Sequence, residues 1–269
     1  MGEPFSTRTC WRAPSVSEAV FFYSRYRHEF IPHTHEATTL LIVTDGAVEV
    51  GIGAGRYVIG AGQFAIIGAN QVHWARPAAL NGWEMRSLHL PLAEIASTTG
   101  ISADECARMH FLNPVHPIGS VGSMFLDLHH STGGKNPTRL DLSAFVKDLY
   151  AKIDTFGPTI LKVSSPDERV VMAKKILTEC IAESTQIGDI AEEVGLSVFS
   201  LIRQFERAFG ISPHGWRIQA RANEAARLLR GSMEAAATAA HCGFSDQSHM
   251  VRIFKKVFGI TPGQYSMLH

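Results

Sequence analysis

The chain has 269 residues, long enough for one large or two ordinary domains, each with its own core. It is 45% apolar and 19% charged with no biased tract, a globular composition, and no apolar run reaches the roughly 18 residues of a membrane span. The net charge of zero excludes a uniformly basic protein, but residues 196–269 carry nine Lys and Arg against four Asp and Glu, a local surplus suited to phosphate contact.

The N-terminus, Met1 to Arg12, lacks the basic-then-apolar pattern of a signal peptide. Cys10, Cys106, Cys180 and Cys242 lie far apart with no CxxC pair, which reads as free thiols in a reducing compartment. A cytoplasmic location is therefore expected. Residues 20–90 hold short β-branched and aromatic runs: Leu40–Val43, Val48–Ile52, Arg56–Ile59, Phe64–Ile67 and Met85–Leu90. Turn signals at Asp45-Gly46, Gly53–Gly55, Gly60–Gly62 and Asn81-Gly82 separate them, as in a small antiparallel barrel or sandwich.

From about residue 92 the pattern turns helical. Val121, Met124, Phe125 and Leu128 form one apolar stripe, and Leu142, Phe145, Val146, Leu149 and Ile153 form another, with the loop Ser131–Pro137 between them. A second break, from Gly157-Pro158 to Ser164-Ser165-Pro166, predicts a domain boundary, with domains at 1–160 and 166–269.

The second domain contains an internal repeat. Ala191, Gly195, Leu196 and Ser197 recur 48 residues later as Ala239, Gly243, Phe244 and Ser245. At an offset of 49, Arg203, Phe205, Phe209, Gly210, Ile211, Ser212, Pro213 and Trp216 match Arg252, Phe254, Phe258, Gly259, Ile260, Thr261, Pro262 and Tyr265. Each copy reads as helix, tight turn, helix. In the first, Gly195 suits a left-handed helix end and Ser197 an N-cap. Val198, Leu201, Phe205 and Phe209 are expected to be buried, with Phe199, Ile202, Arg203 and Glu206 on the opposite face, where a recognition helix meets the major groove. Gly215–Arg230 reads as one long joining helix, about 24 Å at 1.5 Å per residue.

These residues resemble the DNA-binding domain of the AraC/XylS family of regulators. The likeness is carried by IAEEVGLS (190–197), FERAFGISP (205–213), ARANEAARLL (220–229) and GFSDQSHMVRIFKKVFGITPGQY (243–265). Thr238 for an aliphatic residue, Met250 for an aromatic and Trp216 for tyrosine depart from the family pattern. The resemblance implies base contacts at Phe199, Ile202 and Arg203 in the first unit and at Gln247, Ser248, His249 and Arg252 in the second. Chemically, Arg203 and Arg252 suit guanine, Gln247 suits adenine, and Phe199 and Ile202 offer only apolar contact, as with a thymine methyl. Lys255 and Lys256 read as phosphate contacts.

The glycine-punctuated strands and His33-Thr34-His35 resemble the cupin-type effector domain of many AraC-like regulators. The expected fold is thus α+β: an N-terminal cupin-like antiparallel β-barrel with trailing helices, then an all-α domain of two helix-turn-helix units. In metal-binding cupins an H-x-H pair, a glutamate and a distant histidine form the site; here His33, His35 and His73 fall at the histidine positions, Thr39 at the glutamate position, and Glu36 is out of register. Three readings stay open: a pocket for a small-molecule effector using His33, His35, His73, Trp74 and Trp83; a divalent metal at the three histidines; or hydrogen bonding within the barrel.

The expected function is sequence-specific, effector-controlled regulation of transcription, more often activation, with double-stranded DNA and RNA polymerase as partners and no enzyme activity. A homodimer is expected, with Leu142–Ile153 either its seam or ordinary packing against the barrel. The alternative is a metal-dependent cupin enzyme fused to a DNA-binding tail. No GxSxG, P-loop, GxGxxG or HExxH motif points to another enzyme.

Overall fold

The computed structural model describes residues 7–12, 19–27, 29–53, 55–133, 139–160, 166–183 and 185–266. The expected boundary at 157–166 therefore lies partly outside the described residues, as does most of the loop expected at Ser131–Pro137. The chain divides into two compact units, residues 1–29 with 34–162 and residues 30–33 with 163–269.

The N-terminal sheet is built from β1 (Thr7–Arg12), β2 (Val20–Tyr26), β3 (Phe30–His33), β4 (Ala37–Ile52), β5 (Gly55–Gly60), β6 (Gln63–Ile67), β7 (His73–Pro77) and β8 (Trp83–Pro91). β1-β2-β8-β4-β6 run side by side in antiparallel ladders, with β5 and β7 antiparallel on the far half of β4 and β3 on β7. The expected turn at Asp45-Gly46 is instead a bulge inside one 16-residue strand. Gly46 takes φ 71°, and a Cβ there would lie 2.2 Å from the Gly82 carbonyl oxygen, so glycine is required for the bend. The bulge lets the first half of β4 pair with β8 and β6 and the second half with β5 and β7.

Cross-strand partners share a face. Register therefore puts Phe22, Ser24 and Tyr26 with Thr39, Leu41 and Val43 and with Trp83, Met85, Ser87 and His89. The other face carries Phe21, Leu40, Ile42, Phe64, Ile66, Leu88 and Leu90, which belong to one apolar core with the helices that follow.

Those helices are α1 (Leu92–Thr99), α2 (Ala103–Arg108), α3 (Ser120–Gly133) and α4 (Arg139–Ala151), with the short strands β9 (Met109–Phe111), β10 (Val115–Pro117) and β11 (Pro158–Ile160). Phe125 and Leu128 of α3 and Leu142, Phe145, Val146 and Leu149 of α4 all join that core, with Ile153 packed against it. Of the two roles expected for Leu142–Ile153, packing within its own domain is the one the stripe takes.

The second unit is helical: α5 (Glu168–Glu179), α6 (Ile187–Glu193), α7 (Val198–Phe209), α8 (Pro213–Arg230), α9 (Ala235–His241), α10 (Gln247–Phe258) and α11 (Pro262–Ser266). The joining helix α8 starts two residues earlier than the sequence implies, because Ser212 caps it by accepting from the Gly215 amide and Pro213 fits its first turn. α5 buries Val170, Ala173 and Leu177 and sets the Lys174 ammonium 4.7 and 4.5 Å from the ring centroids of Phe209 and Trp216. The Trp216 indole N–H donates to the Thr178 hydroxyl, which ties α5 to α8.

Candidate nucleic-acid interface and effector site

The two recognition helices are built alike. Each has 12 residues, begins at a side-chain cap and ends at a left-handed glycine: Ser197 and Gly210 for α7, Asp246 and Gly259 for α10. Ser197 accepts from the Ser200 amide at 3.2 Å and Asp246 from the His249 amide at 2.7 Å. That bond and the Ser245 hydroxyl hold the Asp246 carboxyl below its usual range. Leu201 and Phe205 anchor α7 inward, and Met250, Phe254 and Val257 anchor α10.

The residues expected to read bases face outward with one qualification. Phe199, Ile202, Arg203, Gln247, Ser248 and Arg252 are exposed, as are Lys255 and Lys256. His249 is half-buried: its Nδ1 lies 3.0 Å from the Ser245 hydroxyl and its ring edge meets Phe244. Val198, expected inward, is 44% exposed, because the first turn of α7 projects past the core.

In the N-terminal sheet, one ring nitrogen from each of His33, His35 and His73 lies within 4.8 Å of the others. The ladder of β3 with β7 brings His33 and His73 together, and His35 follows His33 by two residues. The Nδ1 of His33 is 2.7 Å from the Ile31 carbonyl and that of His73 is 2.9 Å from the Gln71 carbonyl. A carbonyl can only accept, so Nδ1 carries a proton in both rings, and in the neutral form of each the lone pair is on Nε2. Burial holds His73 down to about 4, partly offset by its bond to Gln71, so it is neutral near pH 7.

Sequence reasoning missed His89, whose ring centroid sits 4.3 Å from that of His35. It faces Thr39, the residue at the carboxylate position, across the β4–β8 ladder. The Thr39 hydroxyl is buried without a hydrogen-bond partner among the described residues. The alternation of Met85, Ser87 and His89 on one face is a signal in the sequence, but their partner strand is not.

The two tryptophans are not brought to the histidines. Trp74 follows His73 on β7 and so points to the opposite face, with its ring over Gly51 and the Arg56 and Arg76 guanidiniums 5.6 and 5.4 Å from its centroid. Trp83 is buried against Tyr26, six residues from His89 on β8, roughly 20 Å at about 3.3 Å per residue.

Comparison with known proteins follows the same division. The profile described as an AraC-like ligand binding domain matches residues 15–147, and a helix-turn-helix domain profile matches residues 190–267. The chain belongs to the AraC family. It joins an AraC-like ligand-binding domain to a helix-turn-helix domain. AraC-family relatives include the transcriptional activator NphR of Rhodococcus sp, 26% identical over 87% of this chain and 71% of that protein. The regulator YbfI of Bacillus subtilis is 38% identical over 33% of this chain, and the arabinose operon regulatory protein of Escherichia coli is 34% identical over 37%. These two matches span only about a third of the relatives' own length, 32% and 35%. A solved structure of ToxT from Vibrio cholerae shares the fold with a TM-score of 0.55 over 98% of both chains, at 13% identity.

Proposed function

We propose that this AraC-family chain is a cytoplasmic, effector-controlled activator that binds double-stranded DNA through α7 and α10 and takes its effector at the histidine cluster of the N-terminal sheet. The carrying observation is the pair of helices with side-chain caps and left-handed glycine ends, each anchored by an apolar row and each presenting an exposed face at equivalent positions. NphR is a transcriptional activator, and ToxT has been solved with an unsaturated fatty acid bound. Effector binding would shift the population of DNA-competent molecules. Pairing of two chains and contact with RNA polymerase complete the reading; the pairing face lies outside the Leu142–Ile153 stripe, which is spent on the core.

The test is selection of binding sites by the full-length chain from a random duplex pool at moderate salt. Two short motifs about one helical turn apart support two reading units; a pool without enrichment at any salt overturns the proposal.

A second reading has its own observation. Three histidines with converging nitrogens, two of them oriented by backbone carbonyls, fit a divalent metal such as Zn²⁺ or Ni²⁺. Such an ion supplies an electrophilic centre, and with Thr39 in place of a carboxylate the protein ligands bring no negative charge. His33, His35 and His73 would hold it. Cobalt(II) titration of the full-length chain checks this: a visible d–d band saturating at one ion per chain, lost in His73→Ala, supports the reading, and its absence removes it.

A further inference from the structure

The two recognition helices are alike in frame and opposite in chemistry. At an offset of 49 residues, Val198 corresponds to Gln247, Phe199 to Ser248, Ile202 to Val251, Arg203 to Arg252 and Glu206 to Lys255. The outer face of α10 is polar and basic apart from Val251, which is half-buried at the place of Ile202. That of α7 is apolar: Val198, Phe199 and Ile202 are 44%, 74% and 36% exposed. A lone exposed apolar residue needs no explanation, but three on one face of a DNA-facing helix do.

The twin helix α10, with Gln247, Ser248, Arg252 and Lys255, commits this face to DNA as its occupant. In the major groove the only apolar group a base pair offers is the C5-methyl of thymine. Phe199 and Ile202 project one helical turn apart, so they can reach neighbouring base pairs. Glu206, where α10 has Lys255, carries the wrong sign for phosphate and leaves this unit with Arg207, at the place of Lys256, as its last-turn cation. Arg203 supplies a cation for a guanine edge.

Resting on the DNA-binding reading, we infer that α7 selects its half-site by burying thymine methyls under Phe199 and Ile202, whereas α10 reads by hydrogen bonds and charge. The two half-sites then differ in kind, the first rich in thymine and the second defined by donors and acceptors.

The experiment uses the full-length chain and its selected duplex, with deoxyuridine replacing thymine in one half-site at a time, a change that removes only the methyls. Binding is read by fluorescence anisotropy. Deoxyuridine in the half-site under α7 should weaken binding roughly fourfold per contacted methyl, against less than about twofold in the other half-site. Phe199→Ala with Ile202→Ala should bind the thymine and deoxyuridine duplexes equally; both side chains are surface-exposed, so the fold should survive. Indifference of both half-sites to deoxyuridine overturns the inference and leaves the DNA-binding reading standing. So does a methyl effect undiminished in the double variant. A pool that yields no motif overturns both.

Discussion

Gly195 and Gly243 end the first helices of the two repeated units in the same left-handed conformation, at φ 68° and 71°, but only Gly243 is walled in by backbone. A Cβ on Gly195 would meet nothing within 4 Å, whereas one on Gly243 would lie 2.7 Å from the Ala182 Cα and 2.9 Å from the Ile181 carbonyl oxygen. The segment after α5 therefore closes directly over the second unit's turn. Gly195→Ala should cost only the left-handed backbone penalty, about 1–2 kcal/mol. Gly243→Ala must also displace main chain and should cost more than about 3 kcal/mol. Urea denaturation of both variants checks the difference, and equal losses would mean that the contact with Ala182 is easily relieved.

Thr238 occupies the place in α9 that Ile190 holds in α6, and it is fully buried with no hydrogen-bond partner for its hydroxyl among the described residues. A buried hydroxyl without a partner costs desolvation that nothing repays. Thr238→Val keeps the shape, removes the polar atom and leaves helix propensity nearly unchanged. It should stabilise the chain by about 1 kcal/mol and raise the melting temperature by a few degrees. A lower melting temperature would show that the hydroxyl does useful bonding.

The exposed cations of α7 and α10 should divide by what they meet on DNA. Arg203→Ala and Arg252→Ala should each cost roughly 1–3 kcal/mol on the selected site and relax one base position, each in a different half-site. Lys255→Ala and Lys256→Ala should weaken binding to all sequences alike and lower the salt slope by about one each. Anisotropy titrations across a salt series separate the two classes. A uniform loss for Arg203→Ala would make it a phosphate contact, and His249, turned toward Ser245 and Phe244, should matter less than its neighbours.

What could be read from sequence depended on whether the information was local. The repeat exposed both recognition helices, the Ser197 cap and the outward Arg203 and Arg252, because capping and helical spacing are set by residues within one turn; it aligned Ser245 with that cap, whereas Asp246 caps α10. Helix α5 has no counterpart in the repeat, so its role under Phe209 and Trp216 was invisible until Lys174 was placed over both rings. In the sheet, the H-x-H spacing put His33 beside His35, but His89 enters only through the β4–β8 register. The same limit separates Trp74 and Trp83 from the histidines, since strand alternation and length act on residues that look adjacent in a motif. Asp45-Gly46 reads as a hairpin turn from two residues alone; Gly82 packing against Gly46 makes it a bulge.

His129 of α3 ties the helical layer to the sheet. Its Nε2 donates to the Phe22 carbonyl at 2.8 Å, and its Nδ1 accepts from the Arg86 guanidinium at 3.1 Å. Both nitrogens are thus committed to the neutral ring. Burial above all lowers its pKa to about 4 from 6.5; the Phe22 bond opposes it, and the Arg86 and His130 charges add smaller lowering effects. Between these two values the unfolded chain binds the proton and the folded chain does not, so stability is complete above about pH 6.5 and falls as the pH drops toward 4. This one group should cost about 2 kcal/mol between pH 7 and pH 5. His129→Gln keeps a donor for Phe22 and cannot titrate, so its urea midpoint should fall less over that range than the parent's. Identical pH profiles would mean that His129 takes up its proton within the folded domain at an ordinary pH.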